Sequence, residues 1–279
     1  MSVTNNRPAG STLKAVDPMW AQVQREAEDI VRSEPAMASF VFGTVLNYDR
    51  LENAVVDRIA QRLDNHVISA EVIRCGFEQA LDEDDSLGTY IRSDIAAVYD
   101  RDPACSRYIE PLLYFKGFHA IQAHRLANFM HKKGRKDFAY YLQSRSSEVF
   151  QTDINPAVPI GRGVFFDHAT GLVIGETAVI GDNVSLLHHV TLGGSGTGTG
   201  VRHPTIGNGV LIGAGASVLG PVVLGANSKV GAGSVVVTDL PSHCVAVGVP
   251  ARVVKRLDDS NVPSKDMDQI YDLVLEYII

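Results

Sequence analysis

The 279-residue chain has little of what would mark a secreted, membrane-bound or nucleic-acid-binding protein. Its three cysteines, Cys75, Cys105 and Cys244, are too few and too scattered for a disulfide framework or a zinc motif, which favours a reducing compartment. No apolar run reaches the roughly eighteen residues of a membrane-spanning helix, and the polar stretch Met1 to Ser11 lacks the apolar centre of a signal peptide. Basic residues are in deficit, 25 Lys and Arg against 32 Asp and Glu, so the net charge of -7 argues against a nucleic-acid footprint. The expectation is a soluble, cytoplasmic protein with neither nucleic-acid nor membrane partners.

What the chain does have is a strict period of six. Aliphatic residues recur at Ile174, Ile180, Leu186 and Leu192, and again at Ile206, Ile212, Val218, Leu224, Val230 and Val236. Small or β-branched residues such as Ala178, Val184, Val190 and Ala216 follow four positions later. A helix repeats every three or four positions and a half-buried strand every two, so six requires another architecture. Each hexapeptide makes one short strand and one turn, and three of them close a triangular coil of a β-helix.

Before the repeat the pattern is helical. Asp17-Pro18 offers an N-cap and a first-position proline, and helices are expected over Met19 to Ser33, Ala36 to Leu46, Leu51 to Leu63, Ser69 to Leu81, Ser86 to Tyr99, Pro111 to Lys133 and Lys136 to Val149. A β-helix needs its open end covered, so this block is expected to be a cap and an assembly surface. The division is a disordered N-terminus over 1–16, a helical capping and oligomerisation domain over 17–150, a parallel β-helix catalytic domain over 151–257 with a loop at 193–205, and a C-terminal tail over 258–279.

Charge and imidazole interrupt the apolar monotony in one window: Asp153, Asp167-His168-Ala169-Thr170-Gly171, His188-His189 and Arg202-His203-Pro204. Phe166 and Leu186 fall on one face a coil apart, so His168 and His188, each two residues further on, are expected to stack. The Gly-rich excursion from Gly193 to Thr205 can leave the repeat and carry Arg202 and His203 to a neighbouring subunit.

These residues suit acyl transfer from a thioester to an amino-acid hydroxyl. An alcohol is a poor nucleophile at neutral pH, and neutral His168 can take its proton during attack. Asp153 or Asp167 would orient the ring. Arg202 can clamp a carboxylate bidentately, Asp94 or Asp167 can pair with an ammonium, and the backbone N–H groups of Gly193 and Gly194 are candidates for an oxyanion.

Asp167-His-Ala-Thr-Gly, the later Val-Thr-Leu-Gly-Gly, Arg-His-Pro and Gly-Val-Pro-Ala-Arg, with Asp102-Pro-(x4)-Tyr-(x2)-Pro-Leu-Leu-Tyr-Phe-Lys-Gly-Phe-His-Ala upstream, together resemble the serine O-acetyltransferases of cysteine biosynthesis. The resemblance runs from about Met19 onward. It implies a left-handed β-helix, His168 as general base with Asp153 as its partner, and serine held by Asp94, Asp167, Arg202 and His203 at a boundary between subunits of a trimer. It further implies acetyl-CoA as co-substrate near Gly194, Ala214 and Ala232, with Lys229, Arg252 and Lys255 near its phosphates, and no metal. L-cysteine is expected to inhibit at the serine site, trimers to pair into a hexamer, and the terminal Ile279 to enter O-acetylserine sulfhydrylase.

Two other readings use the same residues. One is a zinc hydratase on the same fold, with His168, His188 and His189 as ligands. The other is a non-catalytic scaffold that regulates the sulfhydrylase through its tail.

Overall fold

The computed structural model describes residues 17–196 and 198–269. The expectations for the N-terminal segment 1–16 and for Ile279 lie outside the described residues.

The first half is helical: α1 Pro18–Ser33, α2 Ala38–Val41, α3 Leu51–Leu63, α4 Ala70–Glu83, α5 Ser86–Arg101, α6 Ile109–Leu113, α7 Lys116–Lys132 and α8 Lys136–Phe150. Asp17 caps α1 as its residue type requires, accepting from the backbone N–H of Met19 and Trp20 at 3.1 and 3.2 Å. Most ends fall within two residues of the sequence pattern, and two segments differ by more. The Ala36 to Leu46 segment divides into a 3₁₀ turn, α2 and a π-helical turn over Phe42–Leu46. The expected Pro111 to Lys133 helix breaks at Tyr114-Phe115, where Phe115 turns extended (ψ 108) and α7 starts afresh at Lys116. The cause of that break is tertiary. A side chain at Gly117 would place its Cβ 2.0 Å from the Phe166 carbonyl oxygen, so the chain approaches the second half as closely as glycine allows.

The second half steps through short strands: β1 Thr152–Ile154, β2 Phe165–Phe166, β3 Leu172–Ile174, β4 Val179–Ile180, β5 Ser185–Leu186, β6 Thr191–Gly193 and β7 Thr205–Ile206. It continues through β8 Leu211–Ile212, β9 Ser217–Leu219, β10 Val223–Leu224, β11 Lys229–Val230, β12 Val235–Val236, β13 Cys244–Gly248 and β14 Ala251–Arg256. They form three sheets, ordered β1-β3-β6-β9-β12, β4-β7-β10 and β2-β5-β8-β11-β13-β14, parallel except for the antiparallel pair β13 and β14. The inward residues of the six-residue period pack from all three sheets into one core, with Leu186, Leu192, Ile212, Val218, Leu224, Val230 and Val236 fully enclosed.

Helix α7 lies over the open end of this repeat and answers its unpaired carbonyls. His124 Nε2 donates to Val158 O (2.9 Å), Arg125 donates to Ile160 O and Gly161 O (3.2 and 2.8 Å), and Asn128 donates to Pro156 O (2.8 Å). The six-stranded sheet is also covered outside. Its outward row Phe165, Ser185, Leu211, Lys229 and Val245 is buried. There Arg101 of α5 reaches the Ser185 hydroxyl at 3.1 Å, and that hydroxyl donates to Ser264 O of the short helix α9, Pro263–Asp266, at 2.8 Å. The outward valines of the other two sheets, Val173, Val179 and Val223, are exposed.

Candidate active site

One corner of the repeat, where the six-stranded sheet passes to the five-stranded one, carries a column of residues each two positions past an inward residue. They are His168, His188, Ala214 and Ala232, aligned by the register Phe166, Leu186, Ile212 and Val230. The His168 and His188 rings lie edge to face with centroids 6.0 Å apart, the stacking expected from the slip in the repeat. His189 meets His188 in the same way at 5.6 Å. His168 is solvent-facing, its side chain 76% exposed, and Asp167 Oδ1 lies 3.7 Å from its Nε2. Burial pushes the Asp167 carboxyl up, and the neighbouring imidazole pulls it back.

Asp167 and His168 share two adjoining cavities with Asp102. The larger, about 700 Å³, is also walled by Tyr99, Arg101, Cys105, Phe165 and Lys265. The smaller, about 300 Å³, reaches back to Phe115, Lys116 and Phe166. Two carboxylates and an imidazole around one opening can accept an ammonium and take a proton from a neighbouring hydroxyl.

Arg202 and His203 occupy the far end of the same five-stranded sheet. The excursion carrying them is pinned at its base, with Ser195 N donating to Arg202 O at 3.1 Å, and Val201 beside Arg202 is exposed. His203 is buried, and its Nδ1 lies 2.9 Å from the Thr177 hydroxyl and 3.3 Å from the Thr177 N–H. That hydroxyl already accepts from the N–H groups of Arg202 and His203, so its own proton is directed to Nδ1. His203 therefore carries its proton on Nε2, beside Gly194 and Gly175. Burial, then the Arg202 charge, lower its pKa and keep it neutral. Arg202 Nη2 sits 2.7 Å from Glu176 Oε2.

The remaining expected residues divide. Asp153 is not joined to His168 among the described residues; its carboxylate accepts from Gln143 Nε2 at 2.6 Å. Asp94 is a correction. It is fully buried, accepts from Arg125, Gln122 Nε2 and the Val164 N–H, and cannot meet a substrate. The carboxylate that does face the cavity from that part of the chain is Asp102, which the sequence reading passed over although it opens the Asp102-Pro103 motif. Lys229 is a second correction: it is buried, 3.4 Å from Asp268, because the segment after β14 folds back over the sheet. Gly194 lies against His203 at the far corner, apart from the column holding Ala214 and Ala232. Arg252 and Lys255 are exposed on β14.

Residues 19–123 match the family model for the N-terminal part of serine acetyltransferases, and residues 203–238 match that for the bacterial transferase hexapeptide repeat. The chain is 46% identical over 254 residues to the serine acetyltransferase of Escherichia coli strain K12, covering 91% of this chain and 93% of that one. It is similar to the crystal structure of the Brucella abortus serine acetyltransferase in complex with coenzyme A, with a TM-score of 0.87 and 54% identity, covering 89% and 99% of the two chains. A third relative, a serine acetyltransferase solved in complex with cysteine, superposes with a TM-score of 0.89 at 43% identity, over 91% of this chain and 98% of that one. With the paired cavities and the hexapeptide repeat already in view, this similarity over nearly the whole length shows that the chain belongs to the serine acetyltransferase family.

Proposed function

We propose that the chain transfers the acetyl group of acetyl-CoA to the hydroxyl of L-serine, giving O-acetyl-L-serine and CoA. His168 takes the hydroxyl proton as the serine oxygen attacks the thioester carbon. The tetrahedral intermediate then expels the CoA thiolate, which receives the proton. Asp167 steadies the ring and the imidazolium that forms, and Asp153 joins it once substrate or a second subunit rearranges the Gln143 contact. Asp102 and Asp167 receive the serine ammonium, Arg202 its carboxylate, and the Nε2–H of His203 a further oxygen. The N–H groups of Gly193 and Gly194 answer the oxyanion.

The observation that carries this reading is the gathering of Asp102, Asp167 and His168 around one opening. Arg202 and His203 stand beyond the three residues of β3, and a strand rise of about 3.3 Å per residue puts that corner roughly 10 Å or more away, too far for one serine. The site is therefore completed across subunits of a trimer. The exposed valines of the two uncovered sheets supply an apolar contact for it. The repeat closes as a left-handed β-helix over 151–257, capped by 17–150 and followed by a tail over 258–279, and trimers pair into a hexamer through the helices. Acetyl-CoA runs down the column from His168 past Ala214 and Ala232, with Gly194 of a neighbouring subunit and the exposed Arg252 and Lys255 at its edges. L-cysteine, bound in a solved relative, occupies the serine site and inhibits, Ile279 docks with the sulfhydrylase, and the reaction runs in the cytoplasm.

The test is loss of thioester absorbance from acetyl-CoA with purified protein and EDTA, offering L-serine, L-homoserine or no acceptor. Consumption with L-serine alone supports the reading, and His168→Ala is expected to lower turnover about two to four orders of magnitude. Retention of a tenth of the rate by that variant would overturn the role of His168.

A further inference from the structure

His168 sits in a turn that its own residues disfavour. It and Ala169 are consecutive non-glycine residues in the left-handed region, with φ of 56 and 58. Each costs about 1–2 kcal/mol relative to ordinary backbone, so the turn persists only if neighbours hold it. From inside, the Thr152 hydroxyl shares its proton between Ala169 O at 3.1 Å and Phe150 O at 3.2 Å. From the next coil, His189 N donates to Thr170 O at 2.7 Å, and toward the preceding coil Gly171 N donates to Gln151 O at 2.8 Å.

The remaining hold comes from the helical half. Lys116 Nζ donates to the Thr170 hydroxyl at 2.5 Å and to Gln151 Oε1 at 3.1 Å. Gln151 is itself left-handed, with φ 59, at the end of α8. One ammonium thus ties two strained corners together. Its base is fixed, because Gly117 seats the start of α7 directly on the Phe166 carbonyl, two residues before His168. The same side chain lines the smaller cavity with Asp102, Asp167 and His168.

We infer that Lys116 is a positioning residue for the acyl-transfer reaction: through Thr170 it holds the strained His168-Ala169 turn, and with it the imidazole, in the geometry proton removal needs. This rests on the proposed role of His168 and gives the helical half a part in the chemistry besides covering the repeat. A proton acceptor displaced by about 1 Å can lose on the order of a hundredfold in rate, whereas the ammonium itself need touch no reacting atom.

The experiment compares Lys116→Met, Lys116→Arg and Thr170→Val in the full chain, each alone and in a His168→Ala background, by steady-state kinetics with L-serine and acetyl-CoA and by thermal melting. Lys116→Met and Thr170→Val are each expected to lower kcat about ten- to a hundredfold with KM for acetyl-CoA within about twofold, and the two combined in one chain to be no worse than either alone. Lys116→Arg, which keeps a cationic donor, restores most of the rate. In the His168→Ala background Lys116→Met changes the residual rate by less than about twofold, because its effect passes through the imidazole. A merely structural role would multiply the loss in that background. Such multiplication, additive single losses, or an unaltered kcat in Lys116→Met overturns the inference. Thr170→Val decides it alone should the lysine variants fail to fold. If His168→Ala remains active, the failure belongs to the proposed role of His168 and the inference falls with it; if His168→Ala is inactive and Lys116→Met is not, only the inference falls.

Discussion

Arg125 grips Asp94 with two nitrogens, Nη2 at 2.7 Å and Nε at 3.0 Å from the same oxygen, in a pair almost wholly withdrawn from solvent. The same guanidinium donates to the carbonyls of Ile160 and Gly161 at the open end of the repeat. Asp94 is thus the counter-charge that lets a buried cation close the end of the β-structure, and this relationship separates it from Asp102, which faces the cavity beside His168.

The two aspartates are expected to fail in opposite ways. Asp94→Asn leaves a buried guanidinium without its counter-charge, which costs about 3–5 kcal/mol of stability, while KM for serine in the remaining folded protein stays within about twofold. Asp102→Asn leaves the melting transition nearly in place and removes a charged contact worth about 1.5–3 kcal/mol, so KM for serine rises at least tenfold. Urea unfolding and serine titration of both variants check this, and a raised serine KM in Asp94→Asn with unchanged stability would reverse the assignment.

Stability should fall on mild acidification for a reason located on α7, the helix that carries Arg125. His119 and His124 are fully buried, and burial lowers both pKa values to about 3 from 6.5. The unfolded chain binds a proton at each near pH 6.5 and the folded chain does not, so this contribution is complete above pH 6.5 and is lost as pH falls toward 3. Each imidazole contributes a slope of up to about 1.4 kcal/mol per pH unit, or about 2 kcal/mol between pH 7 and 5. The lowered carboxylates Asp17, Glu52 and Glu110 lose their contributions only below the ordinary carboxylate values of 3.8 and 4.5, outside that interval. From these two rings, urea unfolding at pH 7 and pH 5 is expected to differ by about 4 kcal/mol, with the lowered His203 adding to that loss and the raised Asp94 and Asp167 opposing it. His124→Gln, which keeps a donor for Val158 O, is expected to halve the difference, and a flat profile would show that neither ring resists protonation.

The sequence carried the repeat because each hexapeptide states its own inward residue: Ile174, Ile180 and Leu186 point to the core for local reasons, and the two-residue slip at Leu172-Val173 was enough to stack His168 on His188. What depended on distant partners stayed hidden. The use of Asp94 is set by Arg125, 31 positions away, and nothing in the amphipathic pattern of α5 distinguishes a buried carboxylate from a solvated one. Lys229 reads as a surface cation until the segment carrying Ser264 and Asp268 folds back over its sheet. The break before α7 comes from the contact of Gly117 with Phe166, which helix periodicity does not contain. Arg202 and His203 were legible as residues but not as a corner held by Thr177 and Glu176.

That corner can be tested without touching a charged side chain. A methyl at Gly175 would stand 1.9 Å from His203 Nε2 and 2.1 Å from its Cδ2, while one at Gly194 would stand 2.9 Å from Nε2. The imidazole is pinned on its other side by Thr177, so Gly175→Ala must push it out of the orientation that presents Nε2–H, and Gly194→Ala does so more mildly. If His203 binds serine, Gly175→Ala raises KM for serine about tenfold or more, the loss of one well-placed hydrogen bond, and Gly194→Ala raises it less. The decisive measurement is the cycle with His203→Ala, which empties the space the methyl would occupy. There Gly175→Ala should have almost no further effect on serine KM. If the two losses multiply, the glycine acts on the strand and not through the ring, and His203 is left as a packing group of the corner.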